Sequence, residues 1–421
     1  MKEIVLAHKA ERDRALAGTY VPREGLDTAR QSMENDLVKV ILGPRRAGKS
    51  VFSIQLLQGI DFAYLNFDDE RLLKVTDYDE FIKAIRQVYG ETRHLLFDEI
   101  QNLKDWELFI NRLQRQGFHV VITGSNAHLL SRELSTHLTG RFLQFQIFPF
   151  SFKEFLKARD FSIDDTLELK ERQGLLLGHL DEYIDKGGFP EIVVKRVEPK
   201  AYLTTLFESV LFRDIAKRYN VRYSKKLYDL GYYLITNHSG EFTGTRLKNI
   251  LGFRSVHTVE NYVKYLSEAF LMFAVDRFSF KVKEQLRSPK KIYSYDTGMA
   301  RSVKFAITHD AGRFAENVVA IELLRRDIEP YTYKTANGKE VDFVVKKGND
   351  IVELIQVSYD ISDYTTKKRE LSAVIRAGEE LKCNRLTMIT WDHEGVEIVA
   401  DKQVSLIPLW RWLLGADQKT N

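Results

Sequence analysis

The sequence predicts an α/β protein whose core is a parallel sheet covered on both faces. Three observations carry that expectation. Short, continuous apolar runs recur near 37–42, 62–67, 93–98, 119–123 and 142–147, as in strands buried on both sides. Stretches of helical length separate them, as right-handed crossovers require. Glycines, acids and small polar residues gather where the runs end, the edge at which open parallel sheets bind ligands.

Residues 1–33 are charged and read as helical, with a turn at Tyr20-Val-Pro-Arg-Glu. The first strand then runs straight into Gly43-Pro44-Arg45-Arg46-Ala47-Gly48-Lys49-Ser50, followed by Val51 and an apolar helical stretch. Gly, four residues, then Gly-Lys-Ser between a strand and a helix is the P-loop arrangement. Its glycines let backbone N–H groups face phosphates, and the helix N-terminus adds a positive dipole end. Residues 43–51 are therefore expected to cradle ATP, with Lys49 on the β/γ-phosphates and Ser50 on Mg²⁺. Asn66-Phe-Asp68-Asp69-Glu70, after the second run, either adds an acid near the metal or caps the next helix, and the cap is the favoured reading. The third run ends in Asp98-Glu99. Asp98 is assigned to the metal, directly or through water, and Glu99 to the attacking water. The fourth ends in Gly124-Ser125-Asn126, where Ser125 and Asn126 either sense the γ-phosphate or shape a turn.

Beyond this core (34–150), residues 151–212 read as helices, broken at Gly187-Gly188-Phe-Pro190, and are expected to form a lid. Residues 213–305 read helix, helix, helix, ribbon, the order of a winged helix. The recognition helix would carry Arg254, His257, Thr258, Asn261 and Lys264 towards a DNA groove. Winged helices also serve purely as protein contacts. Residues 306–421 read as a further α/β unit, with a hairpin at Asn337-Gly338.

Composition bounds the function. One cysteine, Cys383, excludes an internal disulfide and any cysteine-based zinc site, and reads as a small core residue. No apolar run approaches a membrane span, and the N-terminal apolar run is too short for a signal peptide, so a cytoplasmic protein without membrane partners is expected. The net charge is only +4, yet Arg213 to Phe305 holds 18 Lys and Arg against 8 Asp and Glu, a surplus of ten. A basic segment in a near-neutral chain points to a polyanion, duplex or branched DNA above all. An acidic protein partner or neighbouring subunit is the alternative.

The chain resembles the AAA-type ATPases of archaea and bacteria that carry a C-terminal domain of restriction-nuclease-like fold. The resemblance rests on the P-loop, Leu-Phe-Asp-Glu-Ile-Gln-Asn at 96–102, Thr-Gly-Ser-Asn at 123–126 and Leu-Thr-Gly-Arg-Phe at 138–142. Further motifs are Phe-Pro-Phe-Ser-Phe-Lys-Glu-Phe at 148–155, Gly-Gly-Phe-Pro at 187–190, Lys-Lys-Ile-Tyr-Ser-Tyr-Asp-Thr-Gly at 290–298 and Glu-Val-Asp-Phe-Val at 340–344. It implies ATP binding and hydrolysis. It makes Arg141 a sensor or arginine finger, and a role in trans would require a homo-oligomer; a turn arginine is the alternative, and Arg213-Asp214 a rival site. It also implies a PD-(D/E)xK-type nuclease site, for which Glu316 and Asp342 match the first two acids. The Glu-x-Lys element aligns as Gln356-Val-Ser358, and Glu353 alternates to the other face, so an inactive site is expected.

Overall fold

The computed structural model describes residues 1–127, 140–304, 310–399 and 401–415. Leu138 and Thr139 of the 138–142 motif, and the expected boundary at 305/306, lie outside the described residues. The chain packs as two units, one of residues 1–150 with 268–270, the other of 151–267 with 271–421.

In the first unit, β1 (Val38–Leu42), β2 (Phe62–Asn66), β3 (His94–Asp98), β4 (His119–Gly124) and β5 (Phe142–Gln146) form one parallel sheet in the order β2-β3-β4-β1-β5. β1 is buried along its whole length, as its unbroken Val-Lys-Val-Ile-Leu run requires. Ile41, Phe52, Leu56, Phe62, Leu96, Val121 and Ile147 make the core on one side. Fully burying each such side chain stabilises by about 1.5–3 kcal/mol. The N-terminal helix Lys2–Leu16 packs within this unit. Its buried His8 accepts from the backbone N–H of Asn66 at 3.3 Å, and Arg12 donates to the Phe62 carbonyl.

The second unit begins with a capping box. The Ser151 hydroxyl accepts from the Glu154 N–H at 3.2 Å, and the Glu154 carboxylate accepts from the Ser151 N–H at 2.9 Å. That pairing accounts for the Ser-Phe-Lys-Glu portion of its motif. Helices Lys170–Lys186, Pro199–Ser209 and Ser224–Thr236 follow, with a π-helical turn at Val210–Ala216. Segment 151–212, expected as a separate lid, thus packs inside the second unit. Next come β6 (Gly240–Phe242), helices Gly244–Leu251 and Val256–Glu268, β7 (Met272–Val275) and β8 (Lys290–Ser294). The three strands form an antiparallel sheet in the order β6-β8-β7. The first strand of the expected ribbon is only four residues long and ends at Val275. At Arg277 and Phe278 the chain leaves β8 and bonds Thr332 instead, the Phe278 N–H donating to the Thr332 carbonyl at 2.7 Å.

The remaining strands are β9 (Tyr331–Lys334), β10 (Glu340–Lys347), β11 (Asp350–Ser358), β12 (Leu386–Thr390), β13 (Gly395–Val399) and β14 (Lys402–Pro408). They form a mixed sheet ordered β13-β14-β12-β11-β10-β9, packed with helices Ala311–Arg325 and Tyr364–Leu381. The β9–β10 hairpin turns at Asn337-Gly338, where Gly338 has φ 82°. Cys383 is a free thiol buried in this core. No helix among the described residues is long and apolar enough to cross a membrane.

Candidate nucleotide site

The loop after β1 is shaped by two glycines. Gly43 has φ 150°, and a Cβ there would lie 1.9 Å from the Ile147 carbonyl oxygen, so no other residue fits. Gly48 caps the helix Lys49–Leu56 with φ 95°. Between them Arg46 is left-handed at φ 69°, and the Ala47 N–H closes a turn on the Pro44 carbonyl at 3.2 Å. Arg23 braces the loop from behind: it donates to the Ala47 carbonyl at 2.9 Å and to the Phe148 carbonyl at 2.5 Å. The buried Lys49 ammonium donates to the Pro44 carbonyl at 3.0 Å and lies 3.6 Å from Glu99 Oε1. Arg45 is 3.5 Å from Asp68, and Val51 is a half-buried helix residue.

Strand order brings the second set of groups here. β4 lies between β1 and β3, so Thr123 stands beside both Asp98 and Glu99. The Thr123 hydroxyl donates to Asp98 Oδ1 and accepts the Glu99 N–H at 3.0 Å. Tyr64 donates to Asp98 Oδ2 at 3.2 Å, and the Ser50 hydroxyl also bonds Asp98. Burial, then the neighbouring Glu99 charge, push the Asp98 carboxyl above its ordinary pKa. Burial works to raise Glu99 too. There Lys49, with hydrogen bonds from Gln101 and Ser125, overcomes it and holds the carboxyl below its ordinary value. Glu99 is left-handed, φ 51°, which turns its side chain off the strand axis into this network. Ser125 is buried and accepts from Gln101 at 3.3 Å, and Asn126 is buried beside it.

Ser50 and Asp98 meet as a hydroxyl and a carboxylate, the hard oxygen donors that suit Mg²⁺. That ion keeps most of its shell from water and phosphate rather than from a protein cage. No cluster of three or more His, Cys, Asp or Glu stands ready for a metal among the described residues. Sequence reading missed Tyr64, Gln101 and Thr123. Only Thr123, last before Gly124-Ser125 on a strand that reaches this edge, carried a signal.

The other expected residues lie elsewhere. The Arg141 carbonyl accepts the Val38 N–H at 3.0 Å, which places Arg141 beside the start of β1, and its guanidinium is 3.3 Å from Asn111. At about 3.3 Å per strand residue it stands roughly 20 Å from the P-loop, at the opposite end of the sheet. Arg141 is thereby set away from the chain's own P-loop. Asn66 does not cap a helix: its side chain closes a turn on the Asp68 N–H at 2.9 Å. Asp214, of the rival pair, is buried in the π-helical turn. Arg254, His257 and Lys264 are exposed and Thr258 and Asn261 half-buried, with His257 and Asn261 bonded at 3.2 Å on helix Val256–Glu268.

Glu316 and Asp342 do come together, through a residue the sequence gave no reason to place there. Lys291 Nζ lies 2.7 Å from Glu316 and 3.1 Å from Asp342. Gln356 turns its amide to Glu370 at 2.9 Å, Ser358 is buried, and Glu353 faces away to Thr387 at 2.6 Å.

Residues 35–156 match the model of an AAA domain, and residues 177–310 and 311–412 match two domains of unknown function, DUF8612 and DUF4143. Uncharacterized protein MJ1544 of Methanocaldococcus jannaschii is 36% identical over 399 residues, spanning 90% of this chain and 88% of that protein. An uncharacterized protein of Haemophilus influenzae is 34% identical over 357 residues, spanning 80% and 86%. Among solved structures, the Walker-type ATPase paby2304 of Pyrococcus abyssi covers 68% of this chain and 96% of its own, with TM-score 0.45 and 13% identity.

Proposed function

Because this chain belongs to the family of MJ1544 and carries an AAA domain, we propose that it is a Mg²⁺-dependent ATPase. The observation that carries the reading is the convergence of Lys49, Ser50, Asp98 and Glu99 on one loop through Thr123. Lys49 exchanges its Pro44 carbonyl for phosphate oxygens, which loosens its hold on Glu99. Ser50 and Asp98 would hold Mg²⁺, which when bound neutralises charge on the phosphates. Glu99 then orients a water and accepts its proton.

We further infer that turnover is coupled to DNA. The order of helices and strands over 224–294, with its three-stranded antiparallel sheet, supports reading this segment as a winged helix. Its basic surplus and the exposed Arg254, His257 and Lys264 support a phosphate-facing surface. The C-terminal sheet is read as nuclease-like and inactive, since Gln356 and Ser358 replace the third acid and the lysine. One observation favours a protein partner instead. Phe280, Val282 and Leu286, on the connection between β7 and β8, are 75%, 70% and 68% exposed.

Steady-state ATPase with and without duplex, forked and single-stranded DNA, at two salt concentrations, separates the readings. Stimulation that disappears at high salt supports the DNA reading. Turnover indifferent to every DNA favours the protein partner. No turnover under any condition, with Lys49→Ala binding ATP as well as the parent, sinks the ATPase reading itself.

A further inference from the structure

Lys291 sits on β8, the central strand of the three-stranded sheet, and is 6% exposed. Its ammonium has three N–H donors. Two of them donate to carboxylates, Glu316 Oε1 at 2.7 Å and Asp342 Oδ1 at 3.1 Å, and Glu340 Oε1 is ion-paired with the ammonium at 2.7 Å. Tyr293, two residues on and therefore on the same face of β8, donates to Glu316 at 2.6 Å. Glu340 and Asp342 share a face of β10 for the same reason. The far oxygen of Asp342 takes the Val357 N–H at 3.0 Å. Glu316 and Asp342 are themselves 9% and 6% exposed, while Glu340 forms the solvent-facing rim of the cluster.

Two buried carboxylates, one from a helix and one from a strand, converge on one point with Glu340 at its rim, and with the lysine in place they form no ready metal cluster. Here the point is taken. Burial alone would lower the lysine's pKa. Tyr293, Asp342, Glu316 and Glu340 outweigh it and keep the ammonium charged. An ammonium donating to Glu316 and Asp342 and paired with Glu340 leaves no room for an ion that needs oxygens at about 2.0–2.1 Å.

We propose that Lys291 is an internal counter-ion occupying the place of a divalent metal between Glu316 and Asp342, which makes this sheet metal-independent and ties β8 to it. The inference stands on the carboxylate geometry. It deepens the reading of an inactive nuclease-like sheet and is independent of ATP turnover and of DNA.

The test uses the full chain and Mn²⁺ as probe, without nucleotide, read by paramagnetic resonance and by thermal unfolding. The parent and Asp342→Asn are expected to bind Mn²⁺ alike, since any binding at the P-loop is common to both. Lys291→Met is expected to gain one Mn²⁺ per chain. That ion should raise its melting temperature and be lost when Asp342→Asn is added. A Mn²⁺ ion held by the parent and lost in Asp342→Asn overturns the proposal, because the lysine would then stand beside a metal rather than in its place. So does a Lys291→Met chain that melts like the parent and gains no ion. If Lys291→Met does not fold, the variant Lys291→Met/Glu316→Gln/Asp342→Asn decides. Removing charge on both sides should restore folding, and failure to restore it refutes a counter-ion role.

Discussion

Glu99 is held by what surrounds it rather than by its place in the sequence. Its left-handed backbone, the Thr123 contact to its N–H and the Lys49 ammonium fix both its position and its charge. Glu99→Gln keeps the shape and removes the base. ATP affinity should persist while turnover falls about 10²–10⁴-fold, the usual worth of a positioned general base. Equilibrium ATP binding and single-turnover hydrolysis measure the two separately, and unchanged hydrolysis removes Glu99 from the mechanism. Thr123→Val is the sharper probe. It deletes the donor to Asp98 and leaves a buried carboxylate short of a partner, at about 1–3 kcal/mol. A loss of Mg²⁺-dependent affinity larger than the loss of metal-free affinity is expected. The P-loop and Asp98-Glu99 were legible because strand, loop and helix are contiguous. Tyr64, Gln101 and Thr123 were not, because strand order decides which neighbours meet. Lys291 was hidden for the same reason: its carboxylate partners Glu316 and Asp342 lie 25 and 51 residues away.

At the scale of elements, two motifs of the second unit explain each other. Asp296 caps helix Thr297–Val303 through the Met299 N–H at 2.9 Å and accepts the Gly188 N–H at 2.8 Å. A Cβ on Gly298 would lie 2.1 Å from the Lys186 carbonyl oxygen, and one on Gly187 2.2 Å from the Asp296 carboxylate. Gly-Gly-Phe-Pro and Tyr-Asp-Thr-Gly are thus two halves of one helix junction. Gly298→Ala meets backbone rather than a yielding side chain. It should cost about 3 kcal/mol or more and lower the melting temperature of the second unit, measured by urea or thermal unfolding. The short β6 shows why sequence reading fell short here: Gly240-Glu-Phe242 is too brief to display a period of two. β7, on the other side of β8, stops early because Arg277 and Phe278 find a partner in Thr332 of β9.

For the whole molecule, the test of Arg141 is assembly. Its place at the far end of the sheet sets it away from the chain's own P-loop, and a role in trans requires an oligomer. If it acts in trans, Arg141→Ala should lower turnover about 10³–10⁵-fold, with each subunit's own ATP affinity kept. Turnover per subunit should also rise with protein concentration as sedimentation shows assembly. Wild-type activity in Arg141→Ala makes it a turn arginine bonded to Asn111.

Stability of the whole chain carries a pH signature of its own. His238 is buried against Phe314, ring centres 4.5 Å apart, has no hydrogen-bond partner at Nε2 among the described residues, and meets the Ile235 carbonyl at 3.1 Å through Nδ1. Burial, the dominant cause, lowers its pKa to about 4 from 6.5. The folded value lies below the unfolded one, so the unfolded chain binds more protons between the two. Stability therefore rises with pH from about 4 to 6.5 and is lost as pH falls through that window. The shift corresponds to about 3 kcal/mol at the acid end. His238→Phe removes the titration and leaves an apolar ring against Phe314. Urea unfolding at pH 4.5 and 7.5 should then show a smaller difference between the two pH values than the parent shows. An equal difference would mean that His238 is protonated in the fold and that its acid sensitivity lies in other groups.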